Sequence, residues 1–138
     1  MSEKLFVDTN ILLYAYDKDA GSKHEKANAI IKDLWLSGLG ILSIQVLQEF
    51  YVNVTRKIPC PISPAQARSV IETYSTWEVV VSNSFTILKV SEIQERYQLS
   101  FWDSLIVAAA SEADADKILT EDLNHNQVIE GIKIFNPL

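Results

Sequence analysis

The chain has 138 residues, of which 48% are hydrophobic and 22% are charged, and its formal net charge is −6. These values are typical of one globular domain, 1–138, and the acidic balance argues against a broad basic surface for nucleic acid. The single cysteine, Cys60, cannot form an internal disulfide, and no apolar run approaches the ~20 residues that span a bilayer. The start MSEKLF also lacks the layout of a secretion signal, so we expect a cytoplasmic protein.

Strand-like and helical patterns alternate along the chain. Short apolar runs predict strands, at 4–8, 40–43, 77–81, 117–119 and 132–135. Apolar residues at helical spacing predict helices, one starting near Ile11 and others at 24–37, 44–57, from 64 onward, 84–97 and 102–113. Ser63-Pro64-Ala65-Gln66 matches a capping box with proline at the first helical position, which fixes where one helix begins.

Strands separated by helices predict a parallel sheet that is covered on both faces. Ligands of such sheets bind at the carboxyl ends of the strands, where the strand order reverses. Two polar interruptions fall at such ends: Asp8-Thr9-Asn10 follows the first strand, and Thr120-Glu121-Asp122 follows the fourth. This arrangement indicates a functional site.

Two of the acids near these ends have a structural interpretation beside a functional one. Asp8, followed by Thr and Asn, makes a good N-cap for the helix that starts near Ile11, and it is also a candidate metal ligand. Glu49 lies on an otherwise apolar helix, and its polar neighbours either face solvent or line the crevice. These neighbours, at or near helical spacing, are Gln45, Gln48, Asn53 and Arg56.

The other two acids also have both a structural and a functional interpretation. Asp103 closes the capping pattern that begins at Ser100, yet the run LIVAAA after it is apolar almost all round and predicts a buried helix. Asp122 follows the fourth strand and could cap a short helix. Because side chains alternate in direction along an extended chain, only one of Glu121 and Asp122 is expected to face inward, and the sequence does not decide which.

The joint placement of the acids points to a cation. Three or four carboxylates that converge on one crevice repel each other, so one must be protonated unless a cation is bound. Mg²⁺ or Mn²⁺ fits a set of oxygen ligands and also binds substrate phosphates. His24 and His125 are isolated in the sequence, so no His–Cys set favours zinc.

Four segments taken together resemble the PIN-domain nucleases, especially the VapC-type toxin ribonucleases. They are VDTNILLYA, the acid in LQEFYVNVTRK, FWDSLIVAAA and LTEDLNHNQVIEGIKIFNP, and they keep the family order over nearly the whole chain. The resemblance implies a PIN-like three-layer α/β/α sandwich with a central parallel sheet of about five strands. One departure is Asn126, where related sequences tend to have Gly; Asn tolerates the left-handed conformation better than most residues.

The resemblance also implies the site and its cofactor. Asp8, Glu49, Asp103 and Asp122 would bind one or two Mg²⁺ or Mn²⁺ ions and carry catalysis. The acid at the position of Asp122 varies widely in the family. Asn10 and Thr120 would hold carboxylates or water in place.

The implied activity is metal-dependent hydrolysis of RNA phosphodiester bonds by the toxin of a toxin–antitoxin pair. Expected partners are an RNA substrate, a small antitoxin protein and a second copy of the chain in a homodimer, with no membrane. The alternatives are a stand-alone RNA-processing nuclease and a degenerate PIN domain that only binds. A haloacid-dehalogenase-like phosphatase is disfavoured, because its second aspartate is replaced by Asn10. Candidate contacts to the RNA backbone are Lys18, Lys23, Lys26, Arg56 and Lys57.

Overall fold

Six strands and six α-helices form along residues 2–138, the part of the chain that the computed structural model describes. The strands are β1 (Leu5–Val7), β2 (Gly40–Ser43), β3 (Glu78–Val80), β4 (Lys117–Leu119), β5 (Val128–Ile129) and β6 (Ile132–Phe135). The helices are α1 (Thr9–Tyr16), α2 (Ser22–Ser37), α3 (Ile44–Arg56), α4 (Pro64–Tyr74), α5 (Ser84–Tyr97) and α6 (Phe101–Glu112). A short 3-10 helix covers Lys18–Ala20.

The strands form one sheet in the order β3-β2-β1-β4-β6-β5, and all neighbouring pairs are parallel except β5 with β6. The chain moves one way from β1 to β3 and then crosses back to β4. Because such crossovers are right-handed, α1–α4 cover one face of the sheet and α5 and α6 cover the other. In agreement, α1 packs on α2 and α3, α3 packs on α4, and α5 packs on α6. The predicted three-layer sandwich is confirmed.

The strand count differs from the predicted five by one edge strand. β5 has only two residues, and it joins β6 through a tight turn at Glu130 and Gly131, whose φ angles are 52° and 76°. Two positive φ angles give the twist that suits a two-residue hairpin. The five parallel strands are therefore those predicted, and the sixth is a short antiparallel addition.

Local signals in the sequence place several helix ends and turns. The capping box at Ser63 is present, since its hydroxyl accepts a hydrogen bond from the Gln66 amide at 3.1 Å and its own amide donates to the Gln66 side chain at 3.0 Å. Asn126 adopts a φ of 70°, as expected for a left-handed position. No helix within residues 2–138 is both long and apolar enough to cross a membrane.

The strand order reverses between β1 and β4, which places the expected crevice at their carboxyl ends. Val7 pairs with Leu119 in the parallel register, and the Asp8 amide donates to the Leu119 carbonyl at 3.0 Å. Asp8 and Thr120 therefore leave the sheet side by side. Most of α6 is buried, so this helix supports the crevice from the opposite face of the sheet.

Candidate active site

Asp8 lies at the centre of the site and is only 8% exposed. Its Oδ1 accepts a hydrogen bond of 2.7 Å from the Thr9 amide at the start of α1, and its Oδ2 accepts one of 2.8 Å from the Thr120 hydroxyl. The capping interpretation and the functional interpretation of Asp8 are thus compatible. One carboxylate oxygen holds the helix start, and the other faces the end of β4.

Burial raises the pKa of Asp8 to about 6. The hydrogen bonds from Thr120 and Thr9 act in the opposite direction, and the negative charges of Asp122 and Glu49 raise the pKa further. A buried carboxylate with two acidic neighbours carries its charge at a cost. A cation bound beside Asp8 would offset that cost.

Asn10 connects the ends of β1 and β4. Its side-chain amide nitrogen donates to Asp122 Oδ2 at 3.0 Å and to Thr120 Oγ1 at 3.2 Å, and it lies 3.5 Å from Asp8 Oδ2. The Thr120 hydroxyl, which is fully buried, also accepts from the Asp122 amide at 3.0 Å. Asn10 and Thr120 therefore fix the relative positions of the two carboxylates.

Glu49 reaches this cluster from α3. The Thr9 hydroxyl donates to Glu49 Oε1 at 3.1 Å, while the Thr9 amide bonds to Asp8. Thr9 thus links the first two acids, a role that the sequence analysis did not assign to it. The polar stripe around Glu49 is not uniformly exposed to solvent, because Gln45, one turn earlier, is only 8% exposed.

The structure distinguishes Glu121 from Asp122. Glu121 accepts hydrogen bonds from the Tyr14 hydroxyl at 2.7 Å and from Lys23 at 3.0 Å. Burial alone would raise the pKa of Glu121, but these two partners outweigh it and hold the pKa below its usual value. Glu121 is thereby turned toward Tyr14 and Lys23, and Asp122 is the acid that shares Asn10 with Asp8.

Asp103 stands apart from the other three acids. Its amide donates to the Ser100 hydroxyl at 3.1 Å, which is one half of the expected capping box. None of the hydrogen bonds within residues 2–138 involves its carboxylate. The start of α6 nevertheless lies against α3, since Gln45 Nε2 is 3.5 Å from the Trp102 carbonyl. Asp103 therefore lies at the end of α6 that meets α3, without a hydrogen bond to the other acids.

The carboxylates are not assembled into a closed metal site. Within residues 2–138, no three His, Cys, Asp or Glu side chains come close enough together to hold an ion. The reason is visible in the contacts: Thr9 lies between Asp8 and Glu49, and the Asn10 amide lies between Asp8 and Asp122. The carboxylates still fit Mg²⁺ or Mn²⁺, because all their donor atoms are oxygens. The Asn10 N–H groups lie between the carboxylates of Asp8 and Asp122, a position that favours positive charge.

Comparisons with known proteins agree with this fold. Residues 5–130 match the family model described as PIN domain. No curated protein sequence matches the chain. The fold is similar to a toxin-antitoxin complex from Klebsiella pneumoniae, with 17% identity over 97% of this chain and 98% of that chain and a TM-score of 0.70.

Two further solved structures have the same fold. One is VapC20 from Mycobacterium tuberculosis, described as a sarcin-ricin loop cleaving toxin, with 22% identity over 86% of this chain and 91% of that chain and a TM-score of 0.64. The other is DNA-bound VapBC from Salmonella typhimurium, with 17% identity over 99% of this chain and 100% of that chain and a TM-score of 0.69.

Proposed function

The chain belongs to the PIN domain family, and we propose that it is a metal-dependent endoribonuclease, the toxin of a toxin–antitoxin pair. Membership of this family supports a nuclease. The observation that carries the finer proposal is the buried Asp8 carboxylate, which lies at the strand-order reversal with Asp122 and Glu49 as charged neighbours. Such a cluster is stable at neutral pH when a hard cation is bound to it.

In this proposal Asp8, Glu49, Asp103 and Asp122 hold one or two Mg²⁺ or Mn²⁺ ions, and Asp103 joins the other acids from α6. When bound, the ions supply the positive charge that activates water and offsets the charge of the phosphate. Thr120 and Asn10 keep the carboxylates of Asp8 and Asp122 oriented by donating hydrogen bonds to them.

The remaining chemistry is a proton transfer and an in-line displacement. Water attacks phosphorus, the bond to the 3′ oxygen breaks, and the products carry a 5′-phosphate and a 3′-hydroxyl. Glu49 is exposed, and its carboxylate is held by the Thr9 hydroxyl. It is therefore placed to accept the proton that the attacking water loses.

The basic side chains differ in how freely they can reach an RNA phosphate. Lys23 is bound to Glu121, and Lys26 donates to the Leu138 carbonyl at 3.1 Å. Lys57 instead lines a cavity of about 200 Å³ together with Asn10, whose side-chain amide contacts Asp8 and Asp122. Of these three lysines, Lys57 is the best placed to contact the phosphate next to the scissile bond.

We also propose a small antitoxin protein and a second copy of the chain as partners. The similar structures from Klebsiella pneumoniae and Salmonella typhimurium are described as a toxin-antitoxin complex and as VapBC, which supports the antitoxin. An arginine or lysine of the antitoxin would pair with Asp8 and Asp122 and block the site. An RNA substrate would place the protein in the cytoplasm.

A nuclease assay with defined metals tests the proposal. Purified protein should cleave single-stranded RNA in Mn²⁺ or Mg²⁺ and not in EDTA, and the fragments should carry 5′-phosphate and 3′-hydroxyl ends. Cleavage in EDTA that leaves 2′,3′-cyclic phosphate would show attack by the ribose hydroxyl and would contradict the mechanism. Binding of RNA with no cleavage in any metal would identify a degenerate binding module.

A further inference from the structure

A second recess lies beside the acids, between α3 and the start of α6. It has a volume of about 290 Å³ and is lined by Gln45, Gln48, Glu49 and Trp102. We call these four residues the α3–α6 recess. Glu49 also bonds to Thr9 in the acidic cluster, so the recess and the proposed active site share this residue.

Trp102 is unusually exposed for its size. The side chain is 63% exposed. Within residues 2–138 its ring pairs with one other aromatic ring, that of Phe101, at a centroid distance of 4.9 Å and an angle of 87° between the planes. Trp35 and Trp77, in contrast, pack with Tyr74 in a cluster of three rings. A flat aromatic face left open next to a nuclease site is suited to stacking on an unpaired base.

Gln45 supplies an independent signal. Its Oε1 is enclosed and has no hydrogen-bond partner, and it is the one such buried side-chain atom within residues 2–138. Its Nε2 makes only a long contact of 3.5 Å with the Trp102 carbonyl. A carbonyl can only accept, so the amide nitrogen must face Trp102 and the oxygen is left without a donor. An unpaired buried acceptor costs about 1–3 kcal/mol, so the amide gains if it turns to meet a donor in the recess.

We propose that the α3–α6 recess binds an unpaired nucleobase of the RNA next to the scissile phosphate. This inference rests on the proposed function and names a specificity site for it. The base stacks on Trp102, and the amides of Gln45 and Gln48 meet its hydrogen-bonding edge. An N–H donor of the base would satisfy Gln45 Oε1. Three of the four lining residues carry an amide or a carboxylate beside the aromatic ring, and this combination favours a nucleobase over an apolar side chain of a protein partner.

Tryptophan fluorescence gives a direct test. The probes are four single-stranded RNAs of about eight nucleotides, each made of one base. Binding is measured in Ca²⁺ and not in Mg²⁺ or Mn²⁺, so that the RNA is not cleaved during the measurement. Stacking should quench the fluorescence of the parent and of the matched control Trp35→Phe, and this quenching should be lost in Trp102→Phe. Trp102→Ala should bind at least about fivefold more weakly, as expected for the loss of one stacked base.

The role of the amide is tested by Gln45→Met, which keeps the length of the side chain and removes its polar atoms. This variant should retain the quenching by RNA and lose the parent's preference among the four oligonucleotides. An equal affinity for parent and Trp102→Ala, or quenching that persists in Trp102→Phe, would overturn the subsite. Loss of a co-purifying protein in Trp102→Ala with unchanged RNA affinity would instead assign the ring to a protein interface, which also overturns it.

The outcomes separate this inference from the proposed function. If the protein cleaves RNA and Trp102→Ala does not change the affinity for RNA, the proposed base-binding site is wrong and the proposed nuclease activity stands. If RNA binds through Trp102 and no metal supports cleavage, the proposed nuclease activity is wrong and the base-binding site stands.

Discussion

Thr120 donates a hydrogen bond of 2.8 Å to the buried Asp8 carboxylate, and this contact joins the ends of two neighbouring parallel strands. The same hydroxyl accepts from the Asp122 amide and from the Asn10 side chain. A single fully buried oxygen therefore organises Asp8, which follows β1, and Asp122, which follows β4. The arrangement puts the site at the strand-order reversal, where ligands of such sheets bind.

Replacing Thr120 by valine keeps the shape of this position and removes its hydroxyl. The buried Asp8 oxygen loses its donor, so we expect Thr120→Val to lower the free energy of unfolding by about 1–3 kcal/mol at pH 7 in EDTA. Urea unfolding measures the change, with Thr73→Val as a control because the Thr73 hydroxyl bonds to a backbone carbonyl on the exposed face of α4. Equal losses in the two variants would show that Thr120 has no special role.

The pKa of Asp8 predicts a pH dependence of stability in the metal-free protein. The folded pKa of about 6 lies above the value of 3.8 expected for an unperturbed aspartate. The Asp8 carboxyl therefore binds its proton more tightly in the folded state, and this tighter binding adds to the free energy of unfolding. The added stability is complete below pH 3.8 and is lost as the pH rises through about 6. The shift corresponds to at most about 3 kcal/mol.

The matched variant for this prediction is Asp8→Asn, which cannot titrate. In EDTA, the free energy of unfolding of the parent should fall relative to that of Asp8→Asn as the pH rises from 3.8 to about 6, and the difference should level off above that pH. Chemical unfolding at several pH values measures the difference. A difference that stays constant over this range would mean that Asp8 has an ordinary pKa.

Metal binding should reverse the order of stability between these two proteins. In EDTA, Asp8→Asn is relieved of charge repulsion, so above pH 7 it should melt higher than the parent. In Mn²⁺ the parent should gain about 2.7 kcal/mol at a hundredfold excess over the dissociation constant, and the variant should gain much less. Asp33→Asn removes an exposed acid of α2 as a control and should respond to Mn²⁺ like the parent. Equal Mn²⁺ shifts in all three proteins would locate the ion elsewhere.

The different surroundings of Glu121 and Asp122 predict different roles in cleavage. Asp122 shares the Asn10 amide with Asp8, whereas Glu121 is bound to Tyr14 and Lys23. We therefore expect Asp122→Asn to slow metal-dependent cleavage strongly and Glu121→Gln to leave most of it. The comparison uses initial rates with the same RNA and metal. The reverse order of rates would assign the fourth acid to Glu121.

Much of this arrangement follows from local sequence patterns. The strands of the parallel sheet, the capping box at Ser63 and the placement of Asp8 and Thr120 at strand ends depend on residues near each other in the chain, and the fold confirms them. The edge strand β5 was missed because two residues show no periodicity, and its turn at Glu130 requires a positive φ in a residue that rarely adopts one.

The contacts inside the site could not be predicted in the same way. The Thr9 hydroxyl bonds to Glu49, forty residues away, and Gln45 meets the Trp102 carbonyl from another helix. Such pairs depend on how α1, α3 and α6 pack, which the helical periodicity of each segment does not determine. The same limit applies to Asp103, whose position in its capping pattern was correct while its distance from the other acids depends on tertiary packing.

The most direct test of the central claim is the rate of RNA cleavage at saturating Mn²⁺ by the parent, Asp8→Asn and Asp33→Asn. All three proteins should first show the same fold by circular dichroism. If the acids around Asp8 hold the catalytic cation, Asp8→Asn should cleave about 100-fold more slowly or worse, and Asp33→Asn should match the parent. Cleavage by Asp8→Asn at the rate of the parent would contradict the account.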